Sequence, residues 1–113
     1  MKELTTIEEW EARVAASQTE PFFLFKHSTR CPISAAAYTA VTQYIAKSGA
    51  GEPAFYLVKV IESRHVSNAI AETLGIEHKS PQLILVKGRQ AVWDASHYGI
   101  NGERIKEAVE LHG

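Results

Sequence analysis

The sequence predicts a mixed α/β fold in which a four-stranded sheet is flanked by helices on both faces. Short apolar runs rich in aromatic and β-branched residues alternate with segments whose apolar residues recur at helical spacing. A turn signal alone separates the last two of these runs, which is typical of a β-hairpin. The predicted order is α-β-α-β-α-β-β-α. A strand–helix–strand unit followed by a helix and a hairpin gives a mixed sheet.

The first half of the chain predicts two helices around one buried strand. Thr6–Glu9 has the pattern of a capping box, so we place a helix at about 6–17. Phe22–Phe25 is an uninterrupted apolar run, as in a central strand buried on both faces. A second helix is expected from Pro32, which suits a first helical turn, to the glycine-containing segment 48–51.

The second half predicts three strands and two helices. Their caps and turns come from serine, glycine, proline and asparagine at the segment ends. In chain order they are a strand at 54–61, a helix capped by Ser63 and closed by Gly75, a strand at about 82–87 after Ser80-Pro81, a turn at Lys87-Gly88-Arg89, a strand at about 90–95 and a helix capped by Asn101.

Composition limits the classes of function. The chain has 113 residues, and we expect 1–113 to form one domain. Its net charge is −1, with no basic excess for nucleic acid or an anionic membrane, and no apolar run is long enough to span a bilayer. No secretory signal pattern is present, and a single cysteine excludes an internal disulfide framework. These features predict a cytoplasmic protein.

Cys31 is the candidate reactive residue, although a lone cysteine is often an inert core residue. It follows the loop that leaves the first strand and lies at the start of the next helix. Unpaired N–H groups and the helix dipole stabilise a thiolate there. Arg30 adds a neighbouring cation, and Lys26 and His27 lie at the end of the strand.

The segment Cys31-Pro32-Ile33-Ser34 has Cys-x-x-Cys spacing with serine in the second position. Ser34 cannot resolve a mixed disulfide, so Cys31 must remain bound to its partner until an outside thiol releases it. The Ser34 hydroxyl either hydrogen-bonds the Cys31 sulfur or faces the surface at the start of the helix.

Ser80-Pro81 is the second candidate feature. Proline is tolerated at the start of a strand, so the pair has a purely structural interpretation. The functional interpretation is a cis peptide that faces the reactive cysteine and aligns an incoming disulfide-bearing chain. Composition alone does not support a cis bond, because only about 5–6% of X–Pro bonds are cis.

The stretch Phe25–Ala35 resembles the YtxJ-like family, the monothiol bacilliredoxins of the thioredoxin superfamily, and Trp93–Ile100 is a weaker second match. The resemblance covers essentially the whole chain. It implies a thioredoxin-like fold and a monothiol thiol–disulfide oxidoreductase. Such a protein takes bacillithiol, a cysteinyl-glucosaminyl-malate thiol, from S-bacillithiolated proteins.

Carried over by position, Cys31 is the nucleophile, Ser34 the non-resolving position and Pro81 the cis-proline. No bound cofactor or metal is implied. Bacillithiol is the co-substrate, and the partners are S-thiolated proteins and a low-molecular-weight thiol. The remaining motif and substrate-binding residues are Thr29, Arg30, Pro32, Ile33 and Ser80. Arg30 departs from the small polar residue common before the cysteine. Its guanidinium either stabilises the thiolate or binds a malate carboxylate. The alternative is that Arg30 is a solvated loop residue.

Two other functions remain open from the sequence. One is a thioredoxin-fold general stress or scaffold protein whose Cys31 is not catalytic. The other is a monothiol-glutaredoxin-like protein that shares an iron–sulfur cluster across a dimer, although that class carries glycine where this chain has Pro32. The five histidines lack ligand spacing, so no metal site is expected.

Overall fold

The computed structural model describes residues 1–112, which form a five-stranded sheet with four helices. The predicted order of elements is confirmed, with one strand added at the start. The strands are β1 (Lys2–Glu3), β2 (Phe22–His27), β3 (Ala54–Lys59), β4 (Gln82–Lys87) and β5 (Gln90–Ser96). The helices are α1 (Ile7–Ala16), α2 (Pro32–Lys47), α3 (Arg64–Leu74) and α4 (Gly102–His112), with a 3-10 turn at His97–Gly99.

Strand β1 corrects the predicted count of four strands. It has two residues and pairs in parallel with β3, Lys2 opposite Tyr56 and Glu3 opposite Leu57. Two residues are too few to show the alternation by which a strand is recognised in a sequence. The strand exists because β3 offers an open edge for pairing.

The sheet order β1-β3-β2-β4-β5 places β2 at the centre, parallel to β3 and antiparallel to β4. Gln82, the first residue of β4, lies opposite both Lys26 near the end of β2 and Ser96 at the end of β5. The loop after β2, the segment before β4 and the turn after β5 therefore lie at one end of the sheet. We call it the thiol end, because the loop after β2 leads to Cys31.

The two faces of the sheet carry separate apolar cores, and β2 contributes alternate side chains to each. Phe23 and Phe25 pack with α2 and α4, whereas Phe22 and Leu24 pack with α1 and α3. All four are at most 2% exposed, which confirms the prediction of a strand buried on both faces.

Local signals at the helix ends are largely confirmed. Thr6 and Glu9 form the capping box of α1, and Gly75 closes α3 in the left-handed conformation with φ 61°. Asn101 Oδ1 accepts a hydrogen bond from the Arg104 N–H at 3.0 Å, as a cap of α4 should. Ser63 is the N-cap residue of α3, but its side chain makes no capping hydrogen bond. Across residues 1–112 no helix is long and apolar enough to cross a membrane.

Candidate active site

Cys31 is the N-cap residue of α2, with an extended backbone (φ −107°, ψ 122°) and Pro32 directly after it. Its N–H donates to the Ser28 carbonyl at 3.3 Å, and its carbonyl accepts from the Ala35 N–H at 3.0 Å. The residue is half-buried, so it does not lie in the apolar core. The thiol is carried at the positive end of a helix of 16 residues.

Ser34 is fully buried, and its hydroxyl faces the end of β2 rather than solvent. The Oγ lies 2.7 Å from Nδ1 of His27 and accepts a hydrogen bond from the Ser28 N–H at 2.9 Å. The prediction of a surface-facing serine is therefore wrong. The alternative bond to the Cys31 sulfur is not among the hydrogen bonds of residues 1–112, because this hydroxyl is engaged with the preceding strand and loop.

The sequence places His27 at the end of the strand but indicates no role for it beside Ser34. Its ring stacks on Phe25 at 5.4 Å and on Tyr38 at 5.1 Å between ring centroids. Burial and the nearby Lys59 ammonium lower the pKa of His27, while the Glu62 carboxylate opposes them. The imidazole is therefore neutral at pH 7. The sequence signal was a polar residue at the last position of β2, two residues after Phe25 and on the same face of the strand.

Lys26 lies on the other face of the sheet from His27, among the residues that pack with α1 and α3. It is fully buried, with Nζ 3.1 Å from Nδ1 of His78 in the segment before β4. Burial lowers the pKa of Lys26 to about 8. Alternation along β2 decides this placement, since Lys26 follows Phe22 and Leu24 onto the α1–α3 face.

The Ser80–Pro81 peptide bond is cis, as the family resemblance implied. Because Gln82 pairs with Lys26, Pro81 lies at the thiol end beside the end of β2. The Pro81 carbonyl accepts a hydrogen bond from the His97 N–H at 3.1 Å, which ties the second family-like stretch to this position. Within the described residues, the buried Ser80 hydroxyl has no hydrogen-bond partner.

The other motif residues next to Cys31 in the chain lie at or near the surface. Thr29, Arg30 and Pro32 are exposed, and Ile33 is half-buried. Thr29 Oγ1 donates to a Glu62 carboxylate oxygen at 3.4 Å. Among residues 1–112, Arg30 takes part in no ion pair, and no cluster of side chains suits a metal ion.

Two comparisons relate the chain to known proteins, one by its family and one by its fold. The family described as monothiol bacilliredoxin BrxC matches residues 2–105. The chain is 28% identical to a protein described as a candidate oxidoreductase with a thioredoxin fold, with a TM-score of 0.83 over 95% of this chain and 91% of that one.

Two thioredoxins share the fold at lower identity. The Fasciola hepatica thioredoxin is 16% identical, with a TM-score of 0.78 over the whole of both chains. Mitochondrial thioredoxin 3 of Saccharomyces cerevisiae is 17% identical, with a TM-score of 0.72 over 98% of this chain and 94% of that one. The predicted thioredoxin-like fold is confirmed.

Proposed function

This chain belongs to the monothiol bacilliredoxin BrxC family, and on that premise we propose that it removes bacillithiol from S-bacillithiolated proteins by transient capture on Cys31. As a member of that family it is a thiol oxidoreductase. The observation that carries the proposal is a half-exposed cysteine at the N-terminus of α2, with serine in place of a second thiol three residues later.

The proposed cycle has two exchange steps. The Cys31 thiolate attacks the bacillithiol sulfur of the protein–bacillithiol disulfide, a new S–S bond forms, and the protein thiolate leaves. An outside thiolate then attacks the bacillithiol sulfur on Cys31, and the Cys31 thiolate leaves. Over one cycle the disulfide passes from the protein to the outside thiol, so no further oxidant or reductant enters. A cysteine at a helix N-terminus suits both roles, because a stabilised thiolate is also a good leaving group.

The surroundings of Cys31 support recognition of a charged small thiol and a protein chain. Arg30 is exposed and offers its guanidinium to a carboxylate such as that of the malate group. Pro81 lies at the same end of the sheet, where an incoming chain can align beside the cysteine. We propose that the protein acts as one domain without a bound prosthetic group, and that it works in the cytoplasm, where thiols are kept reduced.

The test is transfer of the adduct from a protein that carries bacillithiol on one cysteine. After incubation, intact-mass spectrometry should show bacillithiol on wild-type Cys31 and none on a Cys31→Ala variant. The same protein carrying glutathione, assayed in parallel, measures selectivity for the small thiol, and we expect slower transfer. If folded wild-type protein with a free thiol leaves the adduct in place while dithiothreitol removes it, the scaffold function is favoured instead.

A further inference from the structure

The Ser34 hydroxyl joins three parts of the thiol end. A serine hydroxyl has one hydrogen to donate and two lone pairs that accept. The Ser28 N–H donates to one lone pair at 2.9 Å, and Nδ1 of His27 lies 2.7 Å away. We assign the Ser34 hydrogen to Nδ1 of His27, which accepts it when the neutral ring carries its proton on Nε2.

The imidazole of His27 is itself held firmly. The backbone carbonyl of His27 accepts a hydrogen bond from the Val60 N–H at 3.0 Å, which fixes the residue to the sheet. Phe25 and Tyr38 restrict the plane of its ring. Burial and the Lys59 ammonium lower the pKa of His27, against the opposing Glu62 carboxylate, so the ring stays neutral at pH 7. His27 therefore offers a fixed acceptor to the first turn of α2.

The loop between β2 and α2 is bonded at both sides of Ser28. The Ser28 N–H reaches forward to Ser34, and its carbonyl accepts from the Cys31 N–H at 3.3 Å. The peptide groups on both sides of Ser28 are thus tied to α2. A change in the Ser34 hydroxyl is transmitted along this short loop to the backbone of Cys31.

We propose that His27 and Ser34 form a positioning pair that fixes the 28–31 loop and so sets the orientation of the Cys31 thiol for exchange. Neither side chain touches the substrate. This inference rests on the proposed thiol exchange at Cys31 and assigns the serine a role beyond the absence of a second thiol.

The first test uses 2,2′-dipyridyl disulfide, a small neutral disulfide that needs no protein or bacillithiol recognition. Its rate constant with Cys31 should fall about 3- to 10-fold in Ser34→Ala and in His27→Phe, the range expected for loss of one hydrogen bond. His27→Phe retains an aromatic ring against Phe25 and Tyr38. The double variant should be no slower than the slower single variant, because both changes remove the same bond.

Two further variants separate positioning from general stability. Ser34→Thr keeps the hydroxyl and should stay within about twofold of the wild-type rate. Ser48→Ala removes a hydroxyl at the other end of α2, where it donates to the Ile45 carbonyl, and should leave the rate unchanged. In wild type, nitrogen NMR should show His27 protonated at Nε2 and accepting at Nδ1, and Ser34→Ala should shift the Nδ1 resonance.

Wild-type rates in Ser34→Ala and His27→Phe, even with lowered unfolding temperatures, would overturn the positioning role. The proposal would also be overturned if the fold-losses in rate constant of the two single variants multiplied in the double variant. Multiplied losses would show that the two side chains act independently rather than through one bond. These outcomes are distinct from failure of the proposed function. If wild type reacts with the dipyridyl reagent but takes no bacillithiol from a protein, the proposed function fails while the positioning pair stands or falls on the variant rates.

Discussion

At the scale of single residues, Lys26 is the most unusual feature of the sheet. Its side chain is fully buried, and its ammonium lies 3.1 Å from the His78 ring. No carboxylate of residues 1–112 forms an ion pair with it. Burial also lowers the pKa of His78, with smaller effects from Lys26 and Arg64, so the imidazole is a neutral acceptor at pH 7. One neutral acceptor offsets only part of the cost of removing an ammonium from water.

We therefore expect Lys26→Met to raise the free energy of unfolding by about 1 kcal/mol at pH 7, because it replaces a buried charge with an apolar chain of similar length. The pKa of Lys26 falls from 10.5 to about 8 on folding. Between these values the unfolded chain binds a proton that the folded chain does not, so wild-type stability gains a contribution that rises with pH. Urea denaturation should show this contribution missing in Lys26→Met.

The contribution of Lys26 to the pH dependence of stability should be measured in the window between about pH 8 and about pH 10. Above it, Tyr44 acts in the opposite direction, since burial and its bond to Glu52 raise its pKa to about 12 and favour the neutral folded form. The difference between wild type and variant, rather than either curve alone, isolates Lys26 from other titrating groups. Parallel curves across the window would show that Lys26 keeps its charge on folding.

At the scale of elements, the end of α1 is bonded to the hairpin between β4 and β5. The Ser17 Oγ accepts from the Arg89 N–H at 2.9 Å, and the Ser17 carbonyl accepts from the Gly88 N–H at 2.8 Å. Gly88 and Arg89 both have positive φ, 58° and 66°, as a tight two-residue hairpin turn requires. The helix thereby satisfies the two N–H groups at the tip of the turn.

Replacement of Ser17 by alanine should lower the free energy of unfolding by about 1–3 kcal/mol. The Arg89 N–H lies against the buried Ser17 side chain and would lose its hydrogen-bond acceptor there. Ser48→Ala is a matched control, since both serines are C-cap residues whose hydroxyls donate to the carbonyl three residues before. Only the Ser17 hydroxyl also accepts a hydrogen bond from a hairpin, at the Arg89 N–H. Equal losses in urea denaturation of the two variants would show that the hairpin bond contributes nothing.

These elements also show which features a sequence reveals. The capping box at Thr6 and Glu9 is written within four residues, so it was predicted correctly. The bond between Ser17 and Arg89 joins positions 72 apart and leaves no local pattern. Strand β1 was missed for the same reason, because its pairing partner β3 is distant in the chain.

The site divides in the same way. Spacing and position in the chain made Cys31, Ser34 and Pro81 candidates, since each depends on a short motif or an element boundary. The partners of Ser34 were predicted wrongly, because its burial depends on how α2 packs on β2. His27 and Lys26 are adjacent in β2, so alternation places them on opposite faces of the sheet. Which helices cover each face depends on packing between distant segments, and the sequence did not show it.

At the scale of the whole molecule, the sheet brings two distant segments to the thiol end. Cys31 follows β2 and Pro81 precedes β4, and the antiparallel pairing of these strands places both at one end. The chain has one cysteine, so the fold provides a place for exchange but no internal thiol to complete it. A mixed disulfide on Cys31 must persist until an outside thiol arrives.

Ser34→Cys should change this dependence. The introduced thiol lies three residues after Cys31, the spacing at which a second cysteine attacks a mixed disulfide within the same molecule. Its thiolate attacks the Cys31 sulfur, an internal disulfide forms, and the small thiol leaves. Starting from protein loaded with bacillithiol and kept free of other thiols, mass spectrometry should show rapid loss of the adduct from Ser34→Cys and retention by wild type. A Thr39→Cys variant, with its new thiol further along α2, should keep the adduct. Retention by Ser34→Cys as well would mean that the buried position beside His27 holds the second sulfur out of reach of Cys31.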